Sequence, residues 1–382
     1  MAPPVSDRQA PVRLEGVPSR PFDLTELEKD LRAMWRSTAG SPGEAPSVET
    51  RRTGSVYRAA MSNLVVHVDP ERHARFARVL VEITRRQPSR LLLVEIGGHG
   101  SSELYAEVAA LCHLRAAGGH VCSEQIILRG DAEAGPLVPS AVRALLLGNL
   151  PTVFLDLHGG EPRPWVQELA DRADLVLSDT SESPTLEDAG SVWRAIAADT
   201  DHRVRDLAWS RLTPWREILA EGFDSAHLAS ACRNLNEVTF EHGAAETLPS
   251  CLLLLAGWLA SRLGWRVRMT ERDGATFDAP HGSVRLRFEL NPEAAAGSLH
   301  RIHVRSGAPQ ALDLRVTHEP AHREAVVEVS APAPRRTEVP FHYRDLAECV
   351  VTEMHRHEPN PQLTSAAQCA LALLPTIGDR AA

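Results

Sequence analysis

NLVVHVDPERHARFARVLVEITRRQPSRLLLVEI, residues 63–96, decides the fold. NLVVHVDP (63–70) reads as a strand ended by Asp-Pro, and Glu71–Arg86 reads as a helix. RLLLVEI (90–96) is an apolar run of the kind shown by a strand covered on both faces. The alternation continues toward the C-terminus. Pro139–Gly148 predicts a helix, PTVFLDLH (151–158) a strand, Pro162–Arg172 a helix and DLVLSD (174–179) a strand. Ser191–Ala198 is a helix with Val192, Trp193 and Ile196 on one face. Strands alternating with helices predict an α/β, Rossmann-like domain with a mostly parallel sheet over residues 58–225.

After about Asp224 the pattern changes. NEVTFEH (236–242) is a strand and Pro249–Leu263 a buried helix. WRVRMTE, SVRLRFEL, HRIHVRS, LDLRVTHE and AVVEVS then alternate cleanly, as in Val284, Leu286, Phe288 and Leu290 against Arg285, Arg287 and Glu289. Period-two alternation marks an antiparallel sheet with one wet face. Two closing helices, Tyr343–His355 and Leu363–Leu373, should cover its other face, giving an α+β domain over residues 226–382. Toward the N-terminus, residues 1–21 are rich in Pro and Arg and read as mobile. Leu24, Leu27, Leu31, Met34 and Trp35 then share one helix face that needs a surface to dock on. Ala39–Arg52 reads as a linker, so residues 1–57 form an N-terminal arm.

The 382 residues exceed what one core usually supports, which agrees with two domains. With 43% hydrophobic and 24% charged residues the chain is neither disordered nor a disulfide miniprotein. A net charge of −9 argues against a dedicated nucleic-acid binder. The apolar run at 250–259 is too short to span a bilayer, and the start lacks the apolar core of a signal peptide. Six cysteines with no CxxC pair suggest a reduced, cytoplasmic protein in which cysteines are packing residues by default. Lys29 is the only lysine, so lysine-dependent chemistry has almost no candidate.

IGGHGSSE (96–103) follows a strand as a phosphate-cradling loop does, but it is neither a P-loop nor GxGxxG, and a glycine-rich connection is the preferred reading. His67 and Asp69 end one strand, Asp156 and His158 another, at the edge where α/β proteins bind ligands. Two His and two Asp could hold Zn or Mn, but no close ligand spacing supports this, and no metal or cofactor is assigned. No nucleophile elbow occurs, and the seventeen histidines are scattered. DLAWSRLTPWREIL (206–219) is the densest unusual stretch. Thr213 and Pro214 should start a helix there. Trp209 and Trp215 are core residues in one reading, with Trp209 on a strand. In the other they flank Arg211 and Arg216 in a docking patch for a protein partner.

This last stretch, followed by LLAGWLASRLGW (254–265), resembles the signature of the glucose-6-phosphate dehydrogenase assembly protein OpcA family. MSNLVVHVD (61–69), QPSRLLLV (87–94), VCSEQIIL (121–128), NLPTVFLDLHGGEP (149–162) and ADRADLVLSDT (170–180) support the likeness in the same order. The resemblance implies a non-catalytic assembly factor and activator whose partner is glucose-6-phosphate dehydrogenase, in the oxidative pentose phosphate pathway. In cyanobacterial relatives the activation is tied to thiol redox control. Many relatives carry a Trp-Trp pair near the position of Asp156-Leu157-His158, so any partner contact made through that pair must differ here. The alternative is an α/β enzyme or ligand-binding protein taking a phosphorylated sugar or nucleotide at the strand-end His and Asp residues.

Ser102–Arg115 has helical propensity, yet Leu104, Ala106, Val108, Ala110, Cys112 and Leu114 alternate perfectly. The resemblance tips the reading to a β-hairpin. With its turn centred on Ala117, Cys112 faces Cys122. Opposed Cβ atoms lie about 4.5–5.5 Å apart, so a bridge there would be strained and readily reduced, as a redox pair requires. Two buried free thiols are the expectation for a reducing cytosol.

Overall fold

A computed structural model describes residues 12–39, 56–114, 120–160, 163–223, 231–307, 311–331 and 333–374. The chain forms two compact units. The first comprises Met1–His158, Pro162–Leu177 and Leu346–His355; the second comprises Gly159–Glu161, Ser178–Asp345 and Arg356–Ala382. The border near Ser178 lies well before the expected one at 225. The reason is that Trp193, Trp209 and Trp215 pack into the same core as the later strands.

In the first unit, β3 (Asn63–Val68) and β4 (Arg90–Ile96) are buried along their whole length, as their continuous apolar runs demand. They run parallel to each other and to β6 (His120–Gly130) and β7 (Thr152–Asp156). The order is β1-β5-β6-β4-β3-β7-β8, with β1 Val12–Pro21, β5 Leu104–Leu114 and β8 Leu175–Ser178; β2 (Val56–Arg58) also pairs with β6. Counting from β3, the run β6-β4-β3-β7-β8 is 3-2-1-4-5, the order of doubly wound nucleotide-binding folds. The chain reverses direction across the sheet between β3 and β7. Helices α2 (His73–Arg86), α3 (Val138–Leu145) and α4 (Pro164–Arg172) connect these strands.

The N-terminal segment corrects the reading of a mobile start. Val12–Pro21 is a bulged strand paired antiparallel with β5, which its prolines and arginines disguise. It leads into α1 (Leu24–Ala39), whose Leu27, Leu31 and Met34 are buried. Trp35 Nε1 donates to Glu124 Oε1 at 2.6 Å, and Arg20 pairs with Asp30. Residues 1–11 and 40–55 lie outside the described residues, and with them the linker expected at 39–52 except Ala39, which ends α1.

The second unit holds the sheet β11-β12-β13-β10-β14-β15-β16-β17, antiparallel except for the pair β10 (Leu235–His242) and β13 (Gly282–Leu290). Its other strands are β11 (Arg266–Glu271), β12 (Gly274–Ala279), β14 (Leu299–Ser306), β15 (Leu312–His318), β16 (Glu324–Ala331) and β17 (Arg335–Pro340); the short β9 (Val204–Asp206) is not part of this sheet. Val284, Leu286 and Phe288 face the core while Arg285 and Arg287 are exposed. The helices are α5 (Leu186–Ala198), α6 (Leu207–Arg211), α7 (Thr213–Gly222) and α8 (Ser250–Leu263). Of the two closing helices, only Pro361–Leu371 belongs here, packed on α8. A Cβ on Gly257 would meet Ala366 O at 2.2 Å, so this glycine permits the close approach. Leu346–His355 instead returns to the first unit, packs on α2 and buries Cys349 and Val350. His355 Nε2 bonds Gln87 Oε1 at 2.9 Å. Among the described residues no helix is long and apolar enough to cross a membrane.

Candidate functional site

The strand-end residues do converge. His67 Nδ1 meets Asp156 Oδ1 at 3.0 Å, and His158 Nδ1 meets Asp69 Oδ1 at 2.8 Å. The His158 backbone N–H donates to Asp156 Oδ1 at 3.1 Å. The two imidazoles stack at 5.0 Å, and Trp165 stands edge-on to His67 at 4.9 Å. Arg72 closes the group by donating to the His158 carbonyl at 2.8 Å. Burial pushes the Asp156 carboxyl upward, but the His67 hydrogen bond and charge and the His158 N–H outweigh it and hold it below the ordinary carboxylate range. His67 is 1% exposed, and its Nε2 has no hydrogen-bond partner among the described residues.

This cluster occupies the switch point between β3 and β7, the crevice where doubly wound sheets bind dinucleotides. Such binding uses a glycine-rich first turn, so that backbone N–H groups can reach a pyrophosphate at a helix N-terminus. Here that turn reads Asp69-Pro70-Glu71-Arg72. Pro70 donates no N–H, the two acids oppose a phosphate, and Arg72 serves the His158 carbonyl. Among the described residues no group of three or more His, Cys, Asp and Glu is placed to hold a metal ion.

The glycine loop at 96–103 is a connection in which the amides of Gly97, Gly100, Ser101 and Glu103 are already taken. Gly100 N–H donates to Glu133 at 3.3 Å and Ser101 N–H to Asp131 at 2.6 Å. A Cβ at Gly100 would meet Asp131 Oδ2 at 2.3 Å, so glycine is needed for the carboxylate to enter.

The hairpin is present, with Cys112 directly opposite Cys122 in the β5–β6 register. The two are joined by a disulfide with a Cα–Cα distance of 4.0 Å, in place of the expected free thiols. The bond is buried: Cys112 is 3% and Cys122 0% exposed. β1 flanks Cys112 through Val12, and β2 flanks Cys122 through Arg58.

In the second unit the 206–219 stretch is built inward. Trp209 and Trp215 are 3% and 5% exposed, and Trp209 lies on α6, not on a strand. Arg216 lies over the Trp209 ring at 3.6 Å and donates to Thr213 Oγ1 at 3.0 Å. Thr213 opens α7 as its first residue; the residue before it, Leu212, supplies no side-chain cap. Arg211 binds Asp179 and Ser181. Asp179 in turn lies near a second acid, Asp206, that is not singled out from the sequence alone. Asp206 accepts from Thr180 N and Oγ1, from Trp193 Nε1 at 3.1 Å, and from Ala208 N as the cap of α6. Ser250, opening α8, donates to the Thr180 carbonyl at 2.8 Å. Burial, with the nearby Asp179 charge, pushes Asp206 up to about 6 despite these donors. Burial acts on Asp179 in the same direction, but Arg211 and Ser181 reverse it and hold that acid low. The cue was available: Asp206 stands immediately before a helix, where a capping acid belongs.

Two family models match the chain consecutively. The glucose-6-phosphate dehydrogenase subunit N-terminal domain of OpcA covers residues 81–195, and the matching C-terminal domain covers residues 202–367. The chain belongs to the OpcA family. An OxPP cycle protein OpcA of Nostoc punctiforme is 30% identical over 206 residues, 53% of this chain and 43% of that protein. The OpcA of Synechocystis is 26% identical over 186 residues, 48% of this chain and 38% of that protein. The matches thus span less than half the length of these OpcA relatives. Among solved structures, a Synechocystis biliverdin reductase aligns over 83% of this chain and 98% of its own, at 10% identity and TM-score 0.46. A myo-inositol dehydrogenase of Lactobacillus casei aligns over 84% and 96%, at 11% identity and TM-score 0.41. Both cyanobacterial relatives are named for the OxPP cycle.

Proposed function

We propose that the protein is a non-catalytic assembly factor and activator of glucose-6-phosphate dehydrogenase, acting in the cytoplasm. The observation that carries this reading is the pair of consecutive family models, both named for a subunit of that dehydrogenase. The switch-point chemistry supports it. Asp69, Pro70 and Glu71 stand where a nucleotide pyrophosphate would need glycines, and His67, Asp69, Asp156 and His158 bond one another. The same closure disfavours the alternative, an enzyme or binding protein for a phosphorylated sugar or nucleotide. An activator of this kind binds the active state of the dehydrogenase more tightly than the inactive one. Trp209, Arg211, Trp215 and Arg216 then contribute to partner binding by fixing the fold beneath the contact. The Cys112–Cys122 disulfide would report redox state by taking two electrons and two protons from a dithiol and opening to two thiols.

The test is a mixing experiment. The protein alone should turn over no glucose 6-phosphate and bind no NADP, and should raise the activity of its cognate dehydrogenase on addition. An unchanged kcat, KM and oligomeric state of the dehydrogenase at saturating excess would end this reading. NADP or sugar phosphate binding by the protein alone would favour the alternative.

A further inference from the structure

The first unit contains a cavity of about 140 Å3 that neither the switch point nor the disulfide explains. Its inner wall is Val65 on β3, Phe154 on β7, Val142 on α3 and Leu169 on α4, each at most 6% exposed. Pro139, Leu146 and Thr152 also line it, and Arg143 and Arg172, both exposed, complete the lining. Protein interiors leave few voids larger than a water molecule. Thr152 Oγ1, which accepts from Asn63 Nδ2 at 3.4 Å, is the one uncharged hydrogen-bonding side chain in the lining, too few partners to hold a water well, and apolar cavities near 150 Å3 stay dry and take up a benzene ring. The space therefore suits one small apolar body.

Charge at the rim narrows the class. Among the described residues Arg172 has only an exposed i,i+4 pairing with Glu168, at 3.2 Å. Arg143 makes no ion pair among the described residues. Guanidinium groups recognise carboxylates through paired N–H donors and repel amines. We infer that this cavity binds a small hydrophobic carboxylate, with a phenyl ring or branched chain of about six carbons inside and the carboxylate at Arg143 and Arg172. Long-chain acids exceed the volume, and the hydroxyls of a sugar phosphate find only Thr152 as an uncharged polar partner in the wall. The inference is independent of the proposed function, because the binding is measured on this protein without the dehydrogenase.

Saturation-transfer NMR and calorimetry on the full chain test it, with phenylacetate and 4-methylpentanoate as probes and benzylamine and toluene as controls. The carboxylates should bind with a Kd on the order of 1 mM, typical of so few heavy atoms. Benzylamine should bind at least tenfold more weakly. Arg143→Gln/Arg172→Gln changes only exposed side chains, so it should keep the melting temperature and lose at least tenfold in phenylacetate affinity. Val142→Phe should fill the cavity and abolish binding. The inference is overturned if benzylamine binds as well as phenylacetate, or if the double arginine variant binds phenylacetate as the wild type does. Unaltered binding by a folded Val142→Phe variant would place the ligand elsewhere and overturn it equally.

Discussion

Arg211 grips both oxygens of the Asp179 carboxylate, with Nη1 on Oδ1 at 2.7 Å and Nη2 on Oδ2 at 2.5 Å. The carboxylate is 0% and the guanidinium side chain 17% exposed. Removing one partner of such a pair leaves a buried charge uncompensated. Arg211→Ala should therefore lower the unfolding free energy by about 3–5 kcal/mol. Arg211→Lys should recover only part, since an ammonium cannot match both oxygens. Chemical denaturation checks both. A loss under about 1 kcal/mol for the alanine variant would mean the pair does not hold this region together.

The raised Asp206 gives a pH signature. An acid whose folded pKa lies above its unfolded value stabilises the fold fully below the unfolded value. The contribution is lost as pH rises through the folded one. For Asp206 the window runs from about 4 to about 6. Across it the stability advantage of wild type over Asp206→Asn should shrink by about 3 kcal/mol. Calorimetric melting of both proteins from pH 4 to 7 measures this. A constant difference would show that Asp206 titrates normally.

The disulfide closes a short loop, with a separation of 10 residues. Loop-closure arithmetic gives it about 2–3 kcal/mol. Cys112→Ser/Cys122→Ser should lose that stability under oxidising conditions and nothing under dithiol. If the bond is the redox element, the wild type's activation of the dehydrogenase should change with dithiol and that of the double variant should not. An equal response in both proteins would remove the pair from regulation.

Gly257→Ala would drive a methyl group into the Ala366 carbonyl on the facing helix. The two helices must separate, and overpacking of this kind costs about 1–3 kcal/mol. Melting temperature and hydrogen exchange across Ser250–Leu263 should both report the loss. A neutral outcome would show that the helix pair adjusts freely.

Much of this architecture could be read from local pattern. The apolar runs at 63–68 and 90–96 and the strict alternation at 284–288 each encode how many faces are covered, while Leu290, expected on the apolar face, is exposed. The register of Cys112 and Cys122 followed from the symmetry of the hairpin once the hairpin itself was chosen. What stayed hidden depends on distant partners. Val12–Pro21 has no strand pattern of its own and is held by β5, about 90 residues away. The fate of Leu346–His355 depends on a free face of α2 that no local signal reveals. The switch-point pairs were legible as strand ends but not as mutual partners, since each joins residues 89 positions apart. The inward packing of the tryptophan-arginine stretch required Asp179 and Asp206, which only the folded chain brings beside Arg211 and Trp193.

The return of Leu346–His355 to the first unit has a consequence for biosynthesis. A growing chain normally completes its N-terminal domain while later residues are still being made. Here α2 waits for its covering helix until residue 355 has left the ribosome, with most of the second unit already emerged. Truncation anywhere between 178 and 345 would leave bare the part of α2 that Leu346–His355 covers, and two separately expressed halves would not be two domains.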